Sequence, residues 1–260
     1  MYKLIALLIF ASTCLNAQEI RLLKSEKDVI KLRMKAGLRI TELKNKKKIN
    51  LGSGFFVGDE GYFLTNHHVV KNALSDKKVL LEVQTRNGKR LSDIRMIKCS
   101  DERKIDLCIF RVNGFKPKSY FVLNENSISI GQRNILIGHC HLFPWKIKSG
   151  KTLKVWKDIE SKIGLSKLGT GSPVEMVEGS FKPCPGDSGA ALFSSNKGIL
   201  LGMITEGYKT SSKTYQVAIS NKELFKYYKK YHKELGESVT NLKTGGAQGK
   251  REIFDKVFGE

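Results

Sequence analysis

The chain of 260 residues reads as an all-β protein, and three observations carry that reading. Short apolar stretches recur from Leu38 to Ile219, separated by Gly, Pro, Asn and Ser. Asn87-Gly88, the strongest short hairpin signal in the chain, sits between two of them. Many short strands at this spacing argue for a sandwich or barrel rather than a parallel α/β sheet.

Residues 19–36 carry Ile20, Leu23, Val29, Ile30 and Met34 among charges, the pattern of an imperfect amphipathic helix that packs on the body. Leu38 to Leu43, a Lys-rich turn and Ile49 to Val57 form a hairpin entering a barrel, with Gly52 and Gly54 inside its second arm. Asp59-Glu60-Gly61 turns the chain into Tyr62 to Asn66. Val79 to Thr85 alternates as a strand should and hairpins into Leu91 to Cys99, and Ile105 to Val112 is a further strand. Asn113 to Ser127, with Pro117, crosses to a second half. There the candidate strands are Ile128 to Gly138, Thr152 to Ile159, Ser172 to Val177, Ala190 to Phe193, Ile199 to Thr205 and Thr214 to Ile219. Ser220 and Glu223 make a capping box, and Leu224, Phe225, Tyr228, Tyr231 and Leu235 follow at helical spacing with Gly236 as the stop. Residues 237–260 form a polar tail, and the roughly forty residues after the last strand leave no room for another β-rich domain.

Composition narrows the classes. Hydrophobic residues at 40% and charged residues at 27% belong to a folded soluble body. The 46 Lys and Arg against 25 Asp and Glu give a net charge of +21, a surface that attracts polyanions. The lysines are scattered, Lys46-Lys47-Lys48 being the one short run, and no nucleic-acid motif accompanies them, so no nucleic-acid partner is expected. Lys3 followed by the apolar run Leu4 to Ala11 and small or polar residues to Ala17 reads as a signal peptide over 1–17. It is too short for an integral membrane anchor, so export to the periplasm or the medium is expected; a lipoprotein route through Cys14 is the alternative. The mature chain then keeps Cys99, Cys108, Cys140 and Cys184, an even number with three pairings open. His139-Cys140-His141 lacks a second ligand pair, so no metal site is assigned.

Three patches carry chemistry. They are Gly52-Ser53-Gly54-Phe55 with Thr65-Asn66-His67-His68-Val69-Val70, then Asp106-Leu107-Cys108-Ile109, then Pro185-Gly186-Asp187-Ser188-Gly189-Ala190. Acyl transfer by a serine needs a base beside the hydroxyl and an acid that fixes the base's tautomer. The chain supplies them in the order His, Asp, Ser. α/β-Hydrolases run Ser, acid, His and subtilisins run Asp, His, Ser, so the chymotrypsin order alone fits.

On these blocks, over residues 38–236, the chain resembles the trypsin-like serine protease family, most closely the bacterial HtrA-type branch without a PDZ domain. The resemblance implies two six-stranded antiparallel β-barrels over about 38–115 and 128–219, with an N-terminal helical segment at 18–37 and a closing helix at 220–236. It makes His68 the general base, Asp106 the orienting acid and Ser188 the nucleophile of an endopeptidase that needs no cofactor and takes a polypeptide substrate. The Gly186 and Ser188 amides would form the oxyanion hole. Thr205, Glu206 and Gly207 would pair with an extended substrate, and Lys182, six residues before Ser188, would line the specificity pocket. It also implies pairing of Cys140 with Cys184, bracing the oxyanion loop, and of Cys99 with Cys108.

Asp187 stands where the HtrA pattern has Asn, and it resembles the trypsin branch, in which that Asp pairs with an N-terminus freed by activation. No Ile-Val-Gly-Gly-like segment is present, so Asp187 must find another partner or face solvent. The competing class is a catalytically silent protease-like binding module. Such relatives usually lose a triad member, and here none is lost. The sequence carries no signal for an oligomeric state.

Overall fold

The computed structural model describes residues 25–100, 105–140, 143–157, 174–205, 208–209 and 214–242. The segment read as a signal peptide, residues 19–24 of the expected helix, the expected strand ends at 158–159 and 172–173 and the tail from 243 lie outside these. Helix α1 (Glu26–Arg33) starts where Ser25 Oγ accepts from the Asp28 amide at 3.3 Å, with Glu26 and Asp28 in the first turn and Lys31 and Arg33 in the last. A 3₁₀ turn at Met34–Ala36 leads into the sheet. Arg33 is buried at 4% exposure, its Nε donating to Gly198 O at 2.8 Å and its guanidinium lying over the Phe121 ring.

The first half contains β1 (Gly37–Lys44), β2 (Lys47–Val57), β3 (Tyr62–Thr65), helix α2 (His67–Ser75), β4 (Val79–Thr85), β5 (Arg90–Leu91), β6 (Ile94–Cys99) and β7 (Cys108–Val112). They form one antiparallel seven-stranded sheet in the order β5-β4-β1-β2-β3-β7-β6. This departs from a closed six-stranded barrel. The strand expected from Leu91 to Cys99 breaks at Ser92-Asp93, where Asp93 takes φ +53° and its carbonyl accepts from the Asn113 amide. β5 therefore pairs with β4, and β6 with β7. The two edges of the sheet meet through this covalent corner instead of a ladder. Helix α2 was not expected from the sequence.

The second half is a closed barrel, β10-β15-β12-β11-β8-β9, built from β8 (Arg133–Cys140), β9 (Phe143–Trp156), β10 (Met176–Gly179), β11 (Ala191–Ser194), β12 (Leu200–Ile204) and β15 (Val217–Ser220). β13 (Tyr208–Lys209) and β14 (Thr214–Tyr215) make a small separate ribbon. The long β9 bends from β8 on to β10 and begins nine residues before the strand expected at Thr152. Helix α3 (Asn221–Leu242) starts where Ser220 Oγ accepts from the Glu223 amide at 3.3 Å, and it runs through Gly236 instead of stopping there. The intrinsic preference of one glycine, about 1 kcal/mol, is too small to end a helix.

The strands at the junction serve two cores, because alternate side chains point to opposite faces. Phe56 packs inside the first half while its neighbour Phe55 packs between the halves. Leu192 fills the second barrel while Phe193 joins Phe55, Phe121, Ile135 and Leu224 at the junction. Burying each such ring is worth about 2–3 kcal/mol, which makes the junction a true core and fixes the halves against each other. The functional patches lie along that junction.

Candidate active site

Helix α2 begins at the residue pair that carries the candidate base. Asn66 occupies its N-cap but does not cap it; the side-chain amide donates instead to Asp106 O at 2.7 Å. The capping role passes to Asp106, whose Oδ1 accepts from the His68 backbone amide at 3.0 Å. A carboxylate there also meets the positive end of the helix dipole. The other oxygen, Oδ2, accepts from His68 Nδ1 at 2.6 Å and from Thr205 Oγ1 at 3.0 Å. Burial pushes the Asp106 carboxyl up, but the hydrogen bonds and charge of His68, with the Thr205 hydroxyl, outweigh it and hold the group below the usual carboxylate range. An ionised Asp106 keeps the imidazole proton on Nδ1 and leaves Nε2 as the ring's acceptor. Asn50 Nδ2 steadies the same turn from below, donating to His68 O at 3.2 Å and Val69 O at 3.0 Å.

Ser188 sits on the turn before β11, opposite the edge of β2. Gly186 takes φ +101° and Gly189 φ +84°; a Cβ on Gly186 would meet His139 O at 1.9 Å, and one on Gly189 would meet Ser53 O at 2.1 Å. Only glycine fits either position. The turn is held by the Asp187 amide donating to Cys184 O and the Gly189 amide to Ile204 O, both at 2.9 Å. Ser53 clasps it from the other half: its amide donates to Ser188 O at 2.8 Å and its hydroxyl to Gly186 O at 2.8 Å. Because that hydroxyl proton is committed, His139 Nδ1, 3.0 Å from Ser53 Oγ, is the donor to it. Burial and the charge of Arg39 lower the His139 pKa to about 3, so the ring is neutral. Among the described residues the Gly186 and Ser188 amides donate to no acceptor.

Asp187 does not face solvent. Its side chain is 0% exposed and forms an ion pair with Lys148 of β9. Both disulfides form, Cys140–Cys184 with Cα atoms 5.5 Å apart beside this loop and Cys99–Cys108 with Cα atoms 4.0 Å apart across β6 and β7.

His68 and Ser188 line one cleft of about 500 Å³ together with Asn50, Gly186, Thr205 and Gln216. Lys182 is exposed and is not among the cleft's lining residues, while Glu206 and Gly207 lie outside the described residues. Among the described residues no cluster of three His, Cys, Asp or Glu side chains is placed to hold a metal ion. Sequence reasoning missed Ser53, Asn50 and Lys148 as parts of the site. Ser53 lies inside the Gly52-Ser53-Gly54-Phe55 block, but its bonds cross 133 and 135 positions of chain to Gly186 and Ser188, which no local pattern announces.

This geometry defines a chymotrypsin-type hydrolase fold with its cleft between two β-barrel-like halves. Residues 52–203 match the trypsin-like peptidase domain, and the chain belongs to that family. It is 26% identical over 145 residues to a probable periplasmic serine endoprotease DegP-like of Pseudomonas savastanoi pv. phaseolicola, covering 56% of this chain and 27% of that one. It is 28% identical over 172 residues to Protease Do-like 1, chloroplastic, of Arabidopsis thaliana, covering 65% of this chain and 36% of that one. The chain thus spans about a quarter to a third of these relatives' length. In fold it is similar to the serine endoprotease from Yersinia pestis, with TM-score 0.63 and 18% identity over 81% of this chain and 67% of that one. No described helix is long and apolar enough to cross a membrane.

Proposed function

We propose that the protein is an exported serine endopeptidase of the trypsin-like class. The observation that carries the reading is the Asp106 carboxylate, which accepts from both the backbone amide and Nδ1 of His68, in a cleft shared with a Ser188 turn whose Gly186 and Ser188 amides donate to no acceptor among the described residues. His68 Nε2 takes the Ser188 hydroxyl proton as Oγ attacks the scissile carbonyl. The tetrahedral oxyanion is held by the Gly186 and Ser188 amides, which lie ready before the charge develops. His68 then returns the proton to the leaving amine, and water releases the acyl group by the same route. The substrate is an extended polypeptide, paired by backbone bonds along Thr205, Glu206 and Gly207, and Lys182, exposed next to the cleft-lining Pro183, is assigned to disfavour a basic side chain before the scissile bond from the cleft's rim. The signal segment and the disulfides fit a periplasmic or secreted location.

A fluorophosphonate probe tests the reading. The mature protein should be labelled at Ser188, and Ser188→Ala and His68→Ala should abolish labelling. A properly folded wild-type protein that stays unlabelled favours the silent binding module. Peptide-library profiling checks the subsite, and cleavage chiefly after Arg or Lys removes Lys182 from it.

A further inference from the structure

The turn that carries the two candidate oxyanion amides is not self-locking, because Gly186 can leave φ +101° at little cost. Something outside the turn must hold it. Asp187 lies between the two amides in sequence, and its carboxylate is completely buried. Oδ2 accepts from the Cys184 amide at 2.8 Å and from Lys148 Nζ, and the Cys184 sulfur lies at 3.3 Å. Oδ1 has no hydrogen-bond partner, and the space on that side is closed by Gly138, where a Cβ would meet it at 2.2 Å. Lys148 reaches in from β9 with its side chain 12% exposed, and its Nζ also lies 2.9 Å from Cys184 Sγ. A carboxylate buried this deeply stays put only while a cation compensates it. Freed of the cation it would swing towards water, carrying the 186–188 peptides with it.

We infer that Lys148 is a positioning residue: its ion pair with buried Asp187 holds the Gly186 and Ser188 amides in their presented orientation, without an N-terminus delivered by cleavage. The catalytic consequence rests on the serine-peptidase reading; the structural one does not. The enzyme is accordingly competent as folded, with its internal cation supplied by the second barrel itself. Lys148 touches no substrate, and its effect falls on the transition state, where the amides act, more than on ground-state binding.

The test compares Lys148→Met and Lys148→Met/Asp187→Asn with wild type, reading Ser188 labelling, kcat and KM on a peptide, and hydrogen exchange across 184–190. Lys148→Met should lower labelling and kcat about 100-fold, the scale of losing an oxyanion donor, with KM changed less than about threefold. Exchange at the Asp187, Gly189 and Ala190 amides should rise. The double variant leaves no unpaired buried charge and keeps an acceptor for the Cys184 amide. It should fold and recover most of both readouts, which separates charge compensation from simple unfolding. Labelling and exchange unchanged in Lys148→Met, or a double variant no better than the single one, overturns the inference. If wild type is never labelled yet exchange rises in Lys148→Met and falls back in the double variant, the positioning role stands and the peptidase reading falls.

Discussion

The two halves of the site are held in place by different physics. In the first half, Asp106 fixes His68 with the same carboxylate that the proposed chemistry uses, through bonds of 2.6 and 3.0 Å. In the second, the Ser188 turn is held by groups that take no part in the proposed chemistry: the Cys140–Cys184 disulfide, Lys148 against Asp187, and Ser53 reaching across from β2. The open seven-stranded sheet therefore positions its functional residues by the contacts that make them functional, whereas the closed barrel positions its own by scaffolding. Damage should show this asymmetry. An insult to the first half removes orientation and chemistry at once, while one to the second loosens the amides and leaves the nucleophile chemically intact.

The largest effect should come from Asp106→Asn. The amide still accepts from the His68 backbone but offers a donor to Nδ1, which selects the wrong tautomer, and kcat should fall by about 10⁴ with little loss of folding. A loss below tenfold would mean that Asp106 serves the helix start and not the imidazole. A smaller effect follows from comparing the disulfides. Cys140→Ala/Cys184→Ala should lower kcat roughly tenfold with KM nearly unchanged, since it relaxes but does not remove the donors. Cys99→Ala/Cys108→Ala should leave kcat within about twofold, because hydrogen bonds already fix Asp106. On chain-entropy grounds the bridges, spanning 44 and 9 positions, contribute about 4 and 3 kcal/mol, so both variants should melt earlier while only the first loses turnover. Equal losses of turnover would erase the contrast between the halves.

The smallest effect is a pH dependence of stability. His139 has its pKa lowered to about 3 by burial and by Arg39, against an ordinary value near 6.5. Between those values the unfolded chain binds the extra proton and the folded one does not, so stability is full above pH 6.5 and declines as pH falls towards 3. At pH 5.5 the loss should be about 1.4 kcal/mol, and His139→Gln, which cannot take the proton, should lack this component in denaturant titrations. A slope identical to that of wild type would mean that His139 contributes nothing to it.

Much of this site was legible in the chain, and the reason is specific. His68, Asp106 and Ser188 each sit in a short block whose neighbours are themselves constrained by geometry: Gly186 and Gly189 by positive φ, and Asn66 by its bond to Asp106. What escaped was set by distant contacts. Helix α2 was invisible because its N-cap acceptor comes from Asp106, about forty positions later. The first stretch of β9 was missed because Lys146, Lys148 and Lys151 read as loop, whereas Lys148 points its charge at a buried carboxylate. The break at Asp93 lay inside a run with ordinary strand composition and depends on Asn113.

Ser53 has a temporal consequence as well as a spatial one. Its hydroxyl and amide take hold of Gly186 and Ser188 only once the second barrel has formed and docked, long after β2 has left the ribosome. An incompletely assembled chain holds His68 and Asp106 in one half and Ser188 in the other, with no shared cleft. The proposed hydrolysis therefore has no assembled cleft to run in until the two halves meet.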